Sequence, residues 1–285
     1  AEAFHSFPFP SIFRTPTIGP RVSQPVNVLF VGDVNGRPGL NLLRTLLKGY
    51  LQKYDVDCCI VNGENTDQGK SITAEQVKEF QDLGVHVITT GNHIWDNWKV
   101  KTVLSENRFL LRPLNYPKDN AGFGFFVVDL KEKGRLGVLN LQGRTYMQPL
   151  DDPFRSADWA LSKLNNETKM VVVDFHAEAT AEKMALGWYL DGRVSALVGT
   201  HTHIPTADAR ILPGGTAYIT DVGMTGPYDS VIGMKKEIAI RRFLHQTPYK
   251  FELAEHDVRF CAVYLQLDPD TGKALKIEQI VFPAF

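Results

Sequence analysis

Four short apolar runs, each stopping at a small residue and then offering polar side chains, constrain this chain more than any other feature. Residues 28–32 lead into Asp33, 58–63 into Glu64 and Asn65, 85–91 into Asn92 and His93, and 194–200 into His201 and His203. A fifth run, 170–175, ends on His176. Such a run reads as a buried strand of an α/β sheet, and ligands bind beyond the carboxyl ends of strands of that kind. Turn chemistry accounts for any one of these endings. It does not account for all of them together, so they imply one shared site.

The connections between the runs fit that architecture. Leu40, Leu43, Leu46, Leu47 and Leu51 recur at helical spacing, and Thr73-Ala-Glu-Gln76 has the form of a capping box. With a further helix expected from Trp98 to Leu104, residues 26–104 read as β-α-β-α-β with parallel strands. The runs 123–130 and 135–141, joined by Lys131-Glu-Lys-Gly134, read as an antiparallel hairpin. Residues 142–157 read as a loop, 158–164 and 177–190 as helices, and 216–220, 237–244, 258–267 and 274–282 as strands. Asp268-Pro-Asp-Thr-Gly272 forms the turn between the last two. The late antiparallel strands are expected to build a second sheet packed on the first. Residues 1–25, with four phenylalanines among five prolines, read as an extended arm, and 26–285 as a single domain.

Composition excludes several classes. A net charge of −1 with acids and bases interspersed leaves no footprint for a nucleic-acid polymer. No apolar run approaches the ~20 residues of a bilayer span. The cysteines, Cys58, Cys59 and Cys261, lie in apolar runs and read as core residues of a reducing compartment, most simply the cytoplasm. A homo-oligomer is compatible with the sequence.

The candidate ligand set is Asp33, Glu64, Asn65, Asn92, His176, His201 and His203. Carboxylates and neutral imidazoles suit iron, manganese, zinc or similar ions. In an extended segment His201 and His203 share a face, so two adjacent ions can each take one, with Glu64 as the natural bridge. His93, next to a ligand but pointing elsewhere, suits a catalytic proton donor. Arg37 and Lys70 are open to phosphate contact or to plain solvation. Trp95 and Trp98 are expected to anchor the following helix, and His86 to face core or helix.

The series Gly-Asp33, Gly-Glu64-Asn65, Gly-Asn92-His93, His176 and His201-Thr-His203 resembles the calcineurin-like metallophosphoesterases. Two departures stand out: Asn35 where a histidine ligand is usual, and Glu64 for a bridging aspartate. With Asn62-Gly-Glu-Asn65, Asp174-Phe-His-Ala-Glu-Ala-Thr180 and Asp221-Val-Gly-Met-Thr-Gly226, they resemble the YmdB-like subfamily over residues 26–283. The resemblance implies a four-layer αββα sandwich of two mixed sheets flanked by helices. It implies one ion on Asp33, Glu64 and His203, and a second on Glu64, Asn92, His176 and His201, with Asn65 nearby. The metals implied are iron or manganese, with zinc or magnesium as alternatives. The activity implied is hydrolysis of small cyclic nucleotides, notably 2′,3′-cyclic monophosphates, by a metal-bridged hydroxide with His93 as proton donor. A phosphomonoesterase, or a catalytically weak nucleotide-binding regulator, is the competing expectation.

Overall fold

A computed structural model describes residues 24–285; the arm expected over 1–25 lies, but for its last two residues, outside them. The first strands and helices fall where periodicity places them: β1 (Val26–Val31), α1 (Gly36–Lys53), β2 (Cys58–Asn62), α2 (Ala74–Asp82), β3 (Val87–Thr89) and α3 (Val100–Glu106). Thr73 caps α2 in the reciprocal arrangement its sequence foretells, with Gln76 reaching back to the Thr73 N–H. Next come the hairpin β4 (Phe125–Asp129) and β5 (Arg135–Gln142), then α4 (Pro153–Leu164), β6 (Met170–His176), α5 (Thr180–Tyr189) and β7 (Ala196–Thr200). The chain ends with β8 (Arg210–Ile211), β9 (Ala217–Ile219), β10 (Gly226–Pro227), α6 (Lys236–His245), β11 (Val258–Leu267) and β12 (Ala274–Phe282).

Two mixed sheets result. One runs β10-β11-β1-β2-β3 with β12 also on β11; the other runs β4-β5-β6-β7-β9-β8. The period of two along each strand separates the layers. Val28, Phe30, Cys58 and Ile60 of the first sheet meet Val138, Val172, Ala196 and Val198 of the second between the sheets. Leu29, Val31, Cys59 and Val61 turn outward onto Leu40, Leu43 and Leu47 of α1 and Val77 and Phe80 of α2. On the far side, Leu139, Val171, Val173 and Phe175 pack on Ala157, Leu161 and Leu164 of α4 and on Leu186 of α5. Four layers, helix-sheet-sheet-helix, follow from alternation alone. All three cysteines are buried and unpaired. Among the described residues no helix is long and apolar enough to cross a membrane.

Three expectations are corrected. The late antiparallel strands do not form the second sheet: β11 pairs antiparallel with β1, in register from Val26–Leu267 to Val31–Ala262, and so completes the first. The second sheet is founded by the β4–β5 hairpin and extended in parallel by β6, β7 and β9. Residues 237–244 are helical rather than extended. Their Ile-x-Ile pattern mimics a strand, but Glu237 in the first turn and Arg242 and His245 in the last complement a helix dipole. Finally, α4 begins five residues before 158, because Asp152 caps it through the Phe154 and Arg155 N–H groups and Pro153 suits the first turn.

Candidate metal centre

The polar strand endings converge where the two sheets meet. From the first sheet, Asp33 follows β1, Glu64 and Asn65 occupy the turn after β2, and Asn92 and His93 open a 3₁₀ turn, Asn92–Asp96, after β3. From the second, His176 closes β6, and His201 and His203 follow β7. Asp33, Glu64, Asn65, His176 and His203 are buried, while Asn92, His93 and His201 are half-buried.

Three acceptors crowd His176 Nε2: Glu64 Oε1 at 2.9 Å, His201 Nδ1 at 3.0 Å and Asn92 Oδ1 at 3.2 Å. The other ring nitrogen, Nδ1, lies 2.9 Å from Thr200 Oγ1, whose own proton goes to Asp174 Oδ1 at 2.7 Å. Nδ1 therefore donates. One proton on Nε2 serves Glu64 Oε1 and cannot also serve His201 Nδ1 and Asn92 Oδ1, while Asp33 Oδ1 is left buried with no hydrogen-bond partner. Glu64, His176 and His201 each offer a ligand atom, all within 4.8 Å of one another. Converging lone pairs that outnumber the donors fit a cation.

A second convergence lies beside the first. His203 Nδ1 donates to the Ile232 carbonyl at 3.0 Å, which leaves Nε2 as an acceptor facing Asn65 Oδ1 at 3.3 Å. Asn65 Nδ2 donates to the Gly69 carbonyl, so its oxygen is the atom turned toward His203. Asn35, standing where the resemblance expects histidine, is buried with an unpartnered Oδ1 of its own. Oxygen and imidazole donors without sulfur fit iron, manganese or zinc at this position as well.

The physical reason for the His201/His203 arrangement differs from the expected one. Both residues have positive φ, 99° and 64°, so the segment is not extended. It curls, sending His201 to His176 and His203 to Asn65. Asp221 fixes the curl by accepting from the Thr202 N–H at 3.1 Å, Thr202 Oγ1 at 2.7 Å and Lys183 Nζ at 2.7 Å. Lys183, fully buried in α5, also donates to the Thr200 carbonyl at 2.8 Å. A buried pair of this kind is costly to break from one side, which suits it to holding a strained loop.

Charge in the cluster is tightly coupled. Burial alone would raise Glu64, but His176, with His93 and His201, holds its carboxyl down to about 2. Burial alone would lower His176, and Glu64 with Asp33 and Asp174 pushes it up to about 9. The proton that Glu64 favours thus sits on Nε2, the atom a cation would take over. Burial and the neighbouring His176 press His201 down to about 2, leaving it a neutral ligand.

His93 stands at the edge of this cluster. Its backbone N–H donates to Glu64 Oε2 at 3.0 Å, its Nδ1 lies 2.9 Å from Asp96 Oδ2, and its side chain is about a third exposed. Asp96 is also 3.3 Å from Lys70 Nζ. Lys70 is thereby placed within one side chain of His93, whereas Arg37 is exposed. Trp95 packs on Tyr116 with ring centroids 5.3 Å apart, but Trp98 is exposed and anchors nothing. His86 is exposed rather than core; its ring accepts the Cys59 N–H at the margin of the first sheet.

Sequence reading overlooked the supporting partners: Asp96, three residues after His93 on one turn; Glu178, 3.1 Å from His201 Nε2; and the Asp174–Thr200 relay behind His176. Gly91 is another. A Cβ there would stand 2.1 Å from His176 Cδ2 and 2.2 Å from Nε2. Gly91→Ala is therefore expected to displace the imidazole and weaken metal affinity by about 10–100-fold, as loss of ligand orientation does elsewhere. Titration of metal-stripped protein with manganese checks this, and unchanged affinity would contradict it.

Two mixed sheets between helices, with oxygen and imidazole donors gathered at their strand ends, define the metallophosphoesterase class of fold. Within it, the chain belongs to the YmdB-like protein family, whose model matches residues 29–280. It is 46% identical over 256 residues to a 2′,3′-cyclic-nucleotide 2′-phosphodiesterase of Bacillus subtilis, covering 90% of this chain and 97% of the relative. It is 37% identical to a putative phosphatase/phosphodiesterase of Mycoplasma pneumoniae, covering 90% and 92%. Among solved structures, a hypothetical protein from Thermus thermophilus superposes with a TM-score of 0.84 at 42% identity, covering 90% and 99%. A novel phosphatase from Mycoplasma pneumoniae superposes with a TM-score of 0.85 at 36% identity, covering 91% and 94%.

Proposed function

We propose that this chain is a metal-dependent phosphodiesterase that opens 2′,3′-cyclic nucleoside monophosphates by breaking the bond to the 2′ oxygen. The observation that carries the reading is the crowd of three acceptors around the single proton of His176 Nε2, with Asp33 Oδ1 left unpartnered beside them. The name of the Bacillus relative supports the substrate class. Two ions are assigned, iron or manganese first. Asp33, Glu64 and His203 would hold one, with Asn65 and Asn35 beside them; Glu64, Asn92, His176 and His201 would hold the other. Bound there, such ions supply Lewis acidity toward the phosphoryl oxygens and a nucleophilic water at neutral pH.

The chain's own residues supply the remainder. Asp96 orients His93 through Nδ1, so that His93 Nε2 delivers a proton to the departing ribose oxygen. Burial of Asp33, Glu64 and His176 keeps the donors fixed before substrate arrives. Because the Mycoplasma relative is named phosphatase as well as phosphodiesterase, a monoesterase is the second reading. Turnover of 2′,3′-cyclic AMP against 3′-AMP, with added manganese and then with a chelator, separates the two. The cyclic diester is expected to be favoured by at least about tenfold, roughly 1.4 kcal/mol in barrier, with both rates lost on chelation. Preference for the monoester would overturn the diesterase reading, and full activity in chelator would overturn the metal.

A further inference from the structure

A second cavity, of about 710 Å³, lies between α4, the segment 112–118 and the edge of the second sheet. It shares no residue with the proposed metal donors. Its volume falls within the range of small-molecule sites. The feature that sets it apart is Arg112. That residue is only 4% exposed, and its Nη1 donates to the Pro113 and Leu114 carbonyls at 2.9 Å each. Nε has no hydrogen-bond partner, and among the described residues no carboxylate forms an ion pair with the guanidinium. Burial alone lowers its pKa, with no neighbouring acid to restore it. Proteins seldom bury a cation without a counter-charge, because desolvation then goes uncompensated.

The surrounding walls add a second requirement. Phe123 and Trp159 line the cavity and are themselves 38% and 52% exposed, leaving flat apolar faces toward solvent. Phe125 meets Trp159 edge-on at 6.2 Å and steadies it. Arg108 stands over the Phe123 ring at 5.2 Å. The lining also includes Asp151, an acceptor suited to amine or hydroxyl donors, while Asp152 is committed to capping α4 and to Arg144. On its inner side the cavity reaches Tyr116, which bonds Gln142 at 3.1 Å; Gln142 lies beside His176 in the β5–β6 register.

We propose that this cavity binds a ring-bearing oxyanion, of which a nucleoside monophosphate is the type, with the oxyanion on Arg112 and the ring on Trp159 and Phe123. With Nη1 held by two carbonyls, the remaining N–H groups of Arg112 are left for the oxyanion, and the ring faces of Trp159 and Phe123 not covered by Lys163 and Arg108 accept a base by stacking. The site goes beyond the proposed hydrolysis, and nothing in it requires metal.

Isothermal titration of the full-length, metal-stripped protein with 3′-AMP tests it without involving catalysis. Saturable one-to-one binding is expected. Arg112→Met should weaken it by about 10–100-fold, the usual worth of a charge-assisted hydrogen bond. Trp159→Ala, at a half-exposed position, should weaken it by at least about fivefold. Should Arg112→Met fail to fold, the Trp159→Ala result decides. Adenosine, lacking the phosphate, should bind at least about tenfold more weakly than 3′-AMP. Benzoate bound more tightly than 3′-AMP would identify the oxyanion as carboxylate and overturn the nucleotide assignment. Absence of saturable binding to wild type, equal binding of adenosine, or undiminished binding to both variants would overturn the site. Loss of cyclic-nucleotide turnover elsewhere in the molecule leaves each of these outcomes readable.

Discussion

Glu64→Gln is expected to remove metal and turnover together, with a rate loss of ~10³-fold or more. The reasoning starts from its two oxygens. Oε2 accepts the His93 N–H, a bond that the oxygen of glutamine can keep. Oε1 lies 2.9 Å from His176 Nε2 and shares its proton. Replacing a carboxylate by an amide there removes the one full negative charge in the Glu64–His176–His201 cluster. It also introduces an N–H₂ group where lone pairs should converge. Metal Lewis acidity contributes several kcal/mol to phosphoryl transfer, and each 1.36 kcal/mol is tenfold in rate, hence the magnitude. Removing one side of the buried Glu64–His176 pair is expected to cost the metal-free protein some stability, relieved as His176 sheds the proton that Glu64 held on it. Thermal unfolding supplies the decisive control. Wild type should gain stability from manganese, by about 2.7 kcal/mol at a hundredfold excess over Kd, and the variant should gain little or none. A variant that keeps both its metal-induced stabilisation and its rate would remove Glu64 from the ligand set.

How much of this was legible in the sequence depended on whether the signal was local. Strand endings are local: a small residue followed by Asp, Glu, Asn or His marks them, and Asp33, Glu64, Asn92 and His176 all stand where those endings place them. Layering was not legible in the same way: 28–31 and 170–173 are apolar on both faces, so the four layers were implied by the family resemblance rather than by periodicity. Sheet membership was not local. Nothing in 258–267 states that it pairs with residues more than two hundred positions earlier, so the late strands were assigned to the wrong sheet. For 237–244, a β-branched pattern on an exposed segment competed with helix-end charges, and with only Ala239 buried in that helix, periodicity had little to report. The His201–His203 segment failed more instructively. Period two gave a plausible shared face, but the loop adopts left-handed backbone held by Lys183 and Asp221, two residues whose partnership spans 38 positions. Asp96 was missed although it lies near His93, because its role depends on a 3₁₀ turn that no propensity announced.

His93→Ala should separate chemistry from metal binding. The side chain makes no contact with Asp33, His176 or His203 in the hydrogen-bond network; only its backbone N–H reaches Glu64, and alanine keeps that bond. Metal content and metal-induced stabilisation are therefore expected to match wild type, while kcat for 2′,3′-cyclic AMP falls by ~10²–10⁴-fold with little change in KM. The leaving group supplies the sharper test. A ribose hydroxyl departs poorly as an anion and needs the proton that His93 would give. A nitrophenolate departs readily without one. If His93 is the acid, the variant should lose far less on bis(4-nitrophenyl) phosphate than on the cyclic nucleotide, and Asp96→Asn, which leaves the imidazole but replaces the carboxylate at its Nδ1 with an uncharged amide, should show the same selectivity to a smaller degree. Equal losses on both substrates would give a different answer. They would mean that His93 stabilises charge on the phosphoryl group throughout the displacement, with the proton arriving from solvent.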